Sequence, residues 1–427
     1  MSFARDLRIL LTGRRFRQLF QVRVASQFAD GVFQVALASY VFFSPERQPN
    51  AEAIAVALAA VLLPFSLLGP FAGVFLDRWN RRNVLVWCNA VRAVPVLVAA
   101  AIIATSRHDV ALVVVVIVSF SINRFFLAGL SAALPRVVRP DDLVLANSLT
   151  PTSGTLAFMC GLALATGLSR IPGSLGGDVA IVMLAAVVYL TAAALATLIP
   201  PHLLGPDLDP TRPDVRRALG RIPSGLAAGL RHLHSRPVAA GALAVIAAHR
   251  FFYGLSTIAT ILLYRNYFND PADTDAGLAG LSVAVVVSGL GFFLAAVLTP
   301  LATQRVTPHA WMLCLLGLAA IIEAFPGALY TEPTLLLAAF VLGLSAQGVK
   351  ICVDTLVQTT VDDAFRGRIF SVYDVVFNVV FVAAAAVGTI VVPPTGKSYP
   401  LVAAISLGYA ATAVAYAVWT RRRVAVA

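Results

Sequence analysis

Charge is what this sequence has least of. Only 12% of its 427 residues are Asp, Glu, Lys or Arg, against 59% hydrophobic. A soluble domain carries about 25% charged residues, and surface-to-volume scaling leaves a large exterior that must be wetted. So little charge cannot wet it, so the exterior is expected to face lipid. Lysine is nearly absent: Lys350 and Lys397 stand among 32 basic residues. Cysteine is scarce too. Cys88, Cys160, Cys314 and Cys352 lie in apolar runs without metal-ligand spacing, which excludes a disulfide framework and a zinc site. No HExxH, GxSxG or GxxxxGK[ST] stretch occurs, so neither an intramembrane hydrolase nor direct use of ATP is indicated. The expectation is no enzyme, no cofactor and no metal. The net charge of +11 is carried in short loops between apolar runs, which fits lipid headgroups better than nucleic acid.

Long apolar runs are what the chain has in place of charge. A bilayer core needs about 20 such residues in a helix. That window gives twelve spans, near 18–43, 52–76, 83–105, 109–135, 143–169, 178–199, 237–264, 275–300, 308–330, 333–359, 366–392 and 399–420. The runs do not alternate as barrel strands do. The first 17 residues hold five Arg, and the apolar segment after them has no small-residue cleavage site, so no cleavable signal peptide is expected. With the N-terminus inside, the inner loops hold 22 basic residues and the outer loops five. The positive-inside rule then places both termini in the cytoplasm. The fold class expected is an all-α integral membrane protein of two six-helix, pseudo-symmetric halves. Residues 1–199 form one half, 237–427 the other, and 200–236 a cytoplasmic linker. In the linker Leu219, Ile222, Leu226, Leu230 and Leu233 recur at helical spacing, predicting a helix on the membrane face. The halves echo each other: Arg139-Pro140-Asp141-Asp142 precedes span five, and Val361-Asp362-Asp363 precedes span eleven.

Ionisable groups in hydrocarbon cost roughly 2.5–3.5 kcal/mol each on insertion scales, so each should face a partner or a wet cavity. Span one places Arg23, Gln27, Asp30 and Gln34 on one helical face, and span ten repeats the pattern with Gln347, Lys350, Asp354 and Gln358. Span four carries Arg124, span seven His249 and Arg250, and Arg92, Glu323 and Asp374 lie elsewhere. A water-filled pathway is one explanation of the stripes and glue between packed helices the other. Asp30 is the candidate for proton coupling, since burial and a nearby Arg pull a carboxylate in opposite directions. The alternative is a permanent Asp30–Arg250 pair. Lys350 and Asp354 can neutralise each other along their helix, and His249 is either a proton shuttle or structural. Arg92 and Glu323 have no partner that spacing identifies.

The loop after span two reads Gly73-Val74-Phe75-Leu76-Asp77-Arg78-Trp79-Asn80-Arg81-Arg82. It resembles the signature loop of the major facilitator superfamily, with Phe75 and Asn80 as departures. The resemblance covers nearly the whole chain and implies that spans one, four, seven and ten line a central cavity; seven of the ten membrane charges named above fall on them. It also implies that Gly73, Asp77, Arg78, Arg81 and Arg82 latch against neighbouring helix ends, with Arg366, Arg368 and Asp374 as partners. Arg124 is similar to the family's proton-linked Arg, although Gly129 sits one residue late. The Gly-Pro antiporter motif of span five is missing; Gly154, Gly161 and Gly167 remain.

The expected function is therefore secondary active transport by alternating access. A small organic solute moves across the cell membrane, by resemblance through proton-coupled efflux of a hydrophobic or amphipathic compound. The carrier is expected to be monomeric, with the lipid bilayer, the substrate and a proton as its partners. An uptake carrier for a small anionic metabolite is the alternative, since Arg23, Arg124, Arg250 and Lys350 outnumber Asp30 and Asp354. A sensor or partner protein that transports nothing would leave the polar stripes unexplained.

Overall fold

The computed structural model describes residues 3–37, 50–59, 62, 75–76, 78–104, 109–169, 177–206, 222–271 and 273–424. Among them there is helix and no strand. Span one is the helix Arg14–Leu37, preceded by a short helix Phe3–Thr12. Spans three to six are Arg81–Ala104, Asp109–Ala133, Leu143–Ser169 and Gly177–Thr197. Spans seven to twelve are Pro237–Asn266, Thr274–Thr303, Pro308–Ala324, Glu332–Thr360, Asp363–Val391 and Tyr399–Val424. Helical residues 51–59 open span two, most of which lies outside the described residues. Among the described residues, ten helices are long and apolar enough to cross a membrane. Span one is not among them, because the polar residues of its stripe lower its hydropathy.

The helix ends follow local chemistry. The side chains of Thr307 and Asp273 accept hydrogen bonds from the backbone N–H groups of Ala310 and Ala276, capping spans nine and eight. Pro237 and Pro308 occupy first turns, where no backbone donor is needed. Span nine ends six residues before the expected 330. Phe325 precedes Pro326 and is extended, as pre-proline sterics require, and a single turn Gly327–Leu329 follows. Large apolar side chains such as Ile390, Leu407 and Val285 face outward, as lipid contact demands.

Two compact units are present. One comprises Met1–Val41, Leu67–His232 and Val361–Asp374; the other comprises Phe42–Ser66, Leu233–Thr360 and Val375–Ala427. The first turns of span eleven thus cluster with the first unit. Within that unit, small residues bring spans one and five to backbone contact. A methyl on Gly31 would lie 1.9 Å from the Phe158 carbonyl oxygen, and one on Gly161 2.2 Å from that of Phe28. Gly291 and Gly343 do the same for spans eight and ten in the second unit. The linker helix is Ile222–His234, and residues 207–221, which include Leu219, lie outside the described residues. His232 stacks on Phe365 at 4.2 Å and sets its Nε2 3.7 Å from Asp362, so the helix packs on the start of span eleven.

Candidate functional site

Three clusters of charge organise the molecule. The first joins spans one, three and six in the first unit, where those helices pack together. Arg92 is fully buried in span three. Its Nη1 donates to Ser26 Oγ at 2.9 Å and its Nη2 to the Tyr189 hydroxyl at 2.9 Å, while Nη2 also forms an ion pair with Asp30. Tyr189 in turn donates to Asp30 Oδ1 at 2.6 Å. The guanidinium lies 4.3 Å over the Tyr189 ring and 5.9 Å from that of Phe126. Asp30 is therefore paired with Arg92. Helical spacing could not indicate this, because the partner sits on another span. In the second unit Arg250 lies over the Phe377 and Phe381 rings, at 4.2 and 4.0 Å.

A turn from Asp30, Arg23 Nε donates to Gln27 Oε1 at 2.9 Å. Gly154 of span five makes room for that pair, since a methyl there would stand 1.7 Å from Gln27 Oε1. Gln34 is half-buried at the end of the same stripe. The stripe is thus partly a helix-packing surface and partly a charge site.

The second cluster gathers around Asp363. Its Oδ1 accepts from Arg81 Nη1 at 3.0 Å and Arg366 Nη1 at 2.5 Å, and its Oδ2 from Arg136 Nη2 at 2.6 Å. Asp363 also begins a helix, where the dipole favours a negative charge. Arg81 is wholly buried and is further bonded to the carbonyls of Ala132 and Leu204. Arg81 thus meets the start of span eleven, but through Asp363. Asp374 lies 3.5 Å from Arg124 of span four. Arg82 caps the end of span six by donating to the Thr197 carbonyl at 2.8 Å. Arg368 folds back onto Phe365 and the Ala364 carbonyl, and Arg78 is half-buried. Gly73 and Asp77 lie outside the described residues. Asp363 was visible in the sequence only as half of a repeated acidic pair. Of its three arginines, Arg366 lies three residues on along the same helix, while Arg81 and Arg136 come from far away in the chain.

The third cluster belongs to the second unit. Lys350 Nζ donates to Asp354 Oδ2 at 2.5 Å, the intrahelical pair that the spacing allowed. Gln347, Asp354 and Gln358 are buried. His249 is buried against Tyr409 and Tyr253, with ring centroids at 5.3 and 6.1 Å. Glu323, which had no partner by spacing, accepts from Ser256 Oγ at 2.5 Å across spans nine and seven. Among the described residues no group of three or more His, Cys, Asp or Glu is placed to hold a metal.

Residues 20–385 match the family model described as the Major Facilitator Superfamily. An uncharacterized MFS-type transporter of Mycobacterium tuberculosis is 37% identical over 411 residues, 95% of this chain and 91% of the relative. Macrolide efflux protein A of Streptococcus pyogenes is 22% identical over 185 residues, 43% of this chain and 45% of that protein. Among solved structures, a bacterial homologue of the iron transporter ferroportin in its outward-facing state is similar at a TM-score of 0.66 and 17% identity, covering 95% of this chain and 99% of the other.

Proposed function

Because this chain belongs to the major facilitator superfamily, and is thus a multi-pass membrane transporter of the twelve-helix fold and not an enzyme, we propose that it is a proton-coupled exporter. Its cargo is a hydrophobic or amphipathic compound. It works as a monomer in the cell membrane with both termini in the cytoplasm. The observation that carries the coupling is the Asp30–Arg92–Tyr189 network. A carboxylate in low dielectric holds its charge only while a cation stays beside it. If alternating access draws Arg92 away, Asp30 takes up a proton; when Arg92 returns, the proton leaves. The ion pair around Asp363 and the Arg124–Asp374 pair are suited to hold one of the two access states. Export is favoured by the likeness to a macrolide efflux protein in part of the chain.

The test uses everted vesicles, a pH-sensitive dye and a panel of amphipathic compounds. A transported compound dissipates the proton gradient in wild type, and Asp30→Asn abolishes that signal while counterflow of the same compound persists. Gradient-driven export left intact in Asp30→Asn refutes the coupling role. A panel in which nothing moves refutes the substrate class.

A further inference from the structure

Glu323 lies on span nine, the helix that holds in the second half the chain place of span three, with Arg92, in the first. Spans seven, nine and twelve of the second half occupy the chain order of spans one, three and six in the first. Arg92 is compensated by Asp30, whereas Glu323, 6% exposed, is bonded to one hydroxyl and to no basic side chain among the described residues. Beside it lies a cavity of about 50 Å³, lined by Glu323, Ser256, Thr260, Gly327, Tyr330 and Gly396 among others. That is room for roughly three or four water-sized groups. Two glycines keep it open and tightly covered. A methyl on Gly327 would stand 2.9 Å from the Ile322 carbonyl oxygen and 3.9 Å from Glu323 Oε2. Gly396, at φ +76°, brings the loop before span twelve within 2.6 Å of the Ala259 carbonyl if a methyl were added.

We propose that this cavity is a binding site for a small monovalent inorganic cation, Na⁺ or H⁺, with Glu323 as its charged ligand. A bare carboxylate buried this deeply is expensive, and the cost is met by a cation beside it or a proton on it. The wall supplies hard oxygen donors. The Ser256 hydroxyl donates to Glu323 and the Thr260 hydroxyl to the Ser256 carbonyl, so both keep lone pairs free. Span nine ends at Ala324, one residue after Glu323, and a helix end leaves its last backbone carbonyls without helical partners. Among titratable groups of the surrounding elements, Tyr330 lines the cavity with its ring edge-on to Tyr399 at 5.3 Å. Lys397 hydrogen-bonds Tyr267 at 2.8 Å outside the cavity. His249 and Arg250 lie about two turns earlier on span seven. None of them forms an ion pair with Glu323.

The experiment measures thermal unfolding of the full-length, detergent-purified protein in NaCl, KCl and choline chloride at equal ionic strength, and across pH. For Na⁺, the midpoint rises with NaCl alone and saturates, by roughly 2–4 °C at Na⁺ far above its Kd. For H⁺, the three salts give equal midpoints, which fall as pH rises. In Glu323→Gln, which mimics the protonated carboxyl, the Na⁺ response or the pH response is lost. Thr260→Val, which keeps the carboxylate and removes one donor, weakens a Na⁺ response several-fold and leaves an H⁺ response in place. A midpoint in wild type that ignores both Na⁺ and pH overturns the proposal. So does a response that Glu323→Gln retains in full.

Discussion

Spans one, three and six of the first half and spans seven, nine and twelve of the second solve the same problem in opposite ways. Each trio buries a charged side chain within the membrane part of its middle helix, Arg92 in one and Glu323 in the other. The first trio closes its account internally. Arg92 is bonded to Asp30, Ser26 and Tyr189 and is flanked by two rings. The second leaves its carboxylate with a single hydroxyl and a cavity. The two halves thus bury a charge on corresponding helices but surround it with different chemistry. A compensated centre loses stability when either partner is removed, whereas an uncompensated one leaves room for a mobile ion.

The sharpest way to break that contrast is to uncompensate the first trio. Arg92→Met leaves Asp30 buried beside Tyr189 without its cation. Losing one partner of a buried pair costs about 3–5 kcal/mol. The expected result is a protein that accumulates poorly and unfolds well below wild type in detergent. Adding Asp30→Leu should restore most of the lost stability and none of the coupled transport. If the single variant is as stable as wild type, Arg92 is not the compensating charge.

The second trio should respond more weakly to loss of its one donor. Ser256→Ala leaves the buried Glu323 oxygen unsatisfied, at about 1–3 kcal/mol. The same change in Glu323→Gln, where no charge needs support, should cost visibly less. Unfolding midpoints of the four proteins in a double-mutant cycle measure the coupling directly. An additive cycle would mean that the hydroxyl does nothing for the carboxylate.

How much of this the sequence displayed divides along one physical line. Periodicity within a helix is local, so spans, the polar stripe of span one and the Lys350–Asp354 pair were legible. Pairing between helices depends on which faces meet, and no spacing records that. Arg92 and Glu323 were visible as charges in apolar runs, but their partners Asp30 and Ser256 sit on other spans. The Arg124–Asp374 contact was hidden for the same reason. Asp363 was half-legible: its acidic pair stood out as a repeat, while the arginines that converge on it did not. The early end of span nine was available in principle, since Pro326 forbids helix at Phe325. Hydropathy averaging passed over it.

The smallest effect sharpens the comparison from the compensated side. Tyr189→Phe removes the hydroxyl that bridges Arg92 and Asp30 but leaves their ion pair and the ring beneath the guanidinium. Because the charge stays balanced, the loss should be near that of one charge-assisted hydrogen bond, about 1.5–3 kcal/mol at most, and below that of Arg92→Met. Dye-monitored proton coupling should also change in Tyr189→Phe, while counterflow of the same compound persists, because Asp30 has lost one of its two donors. A Tyr189→Phe protein as unstable as Arg92→Met would show that the network, and not the ion pair, does the compensating; the two trios would then differ less than their charges suggest.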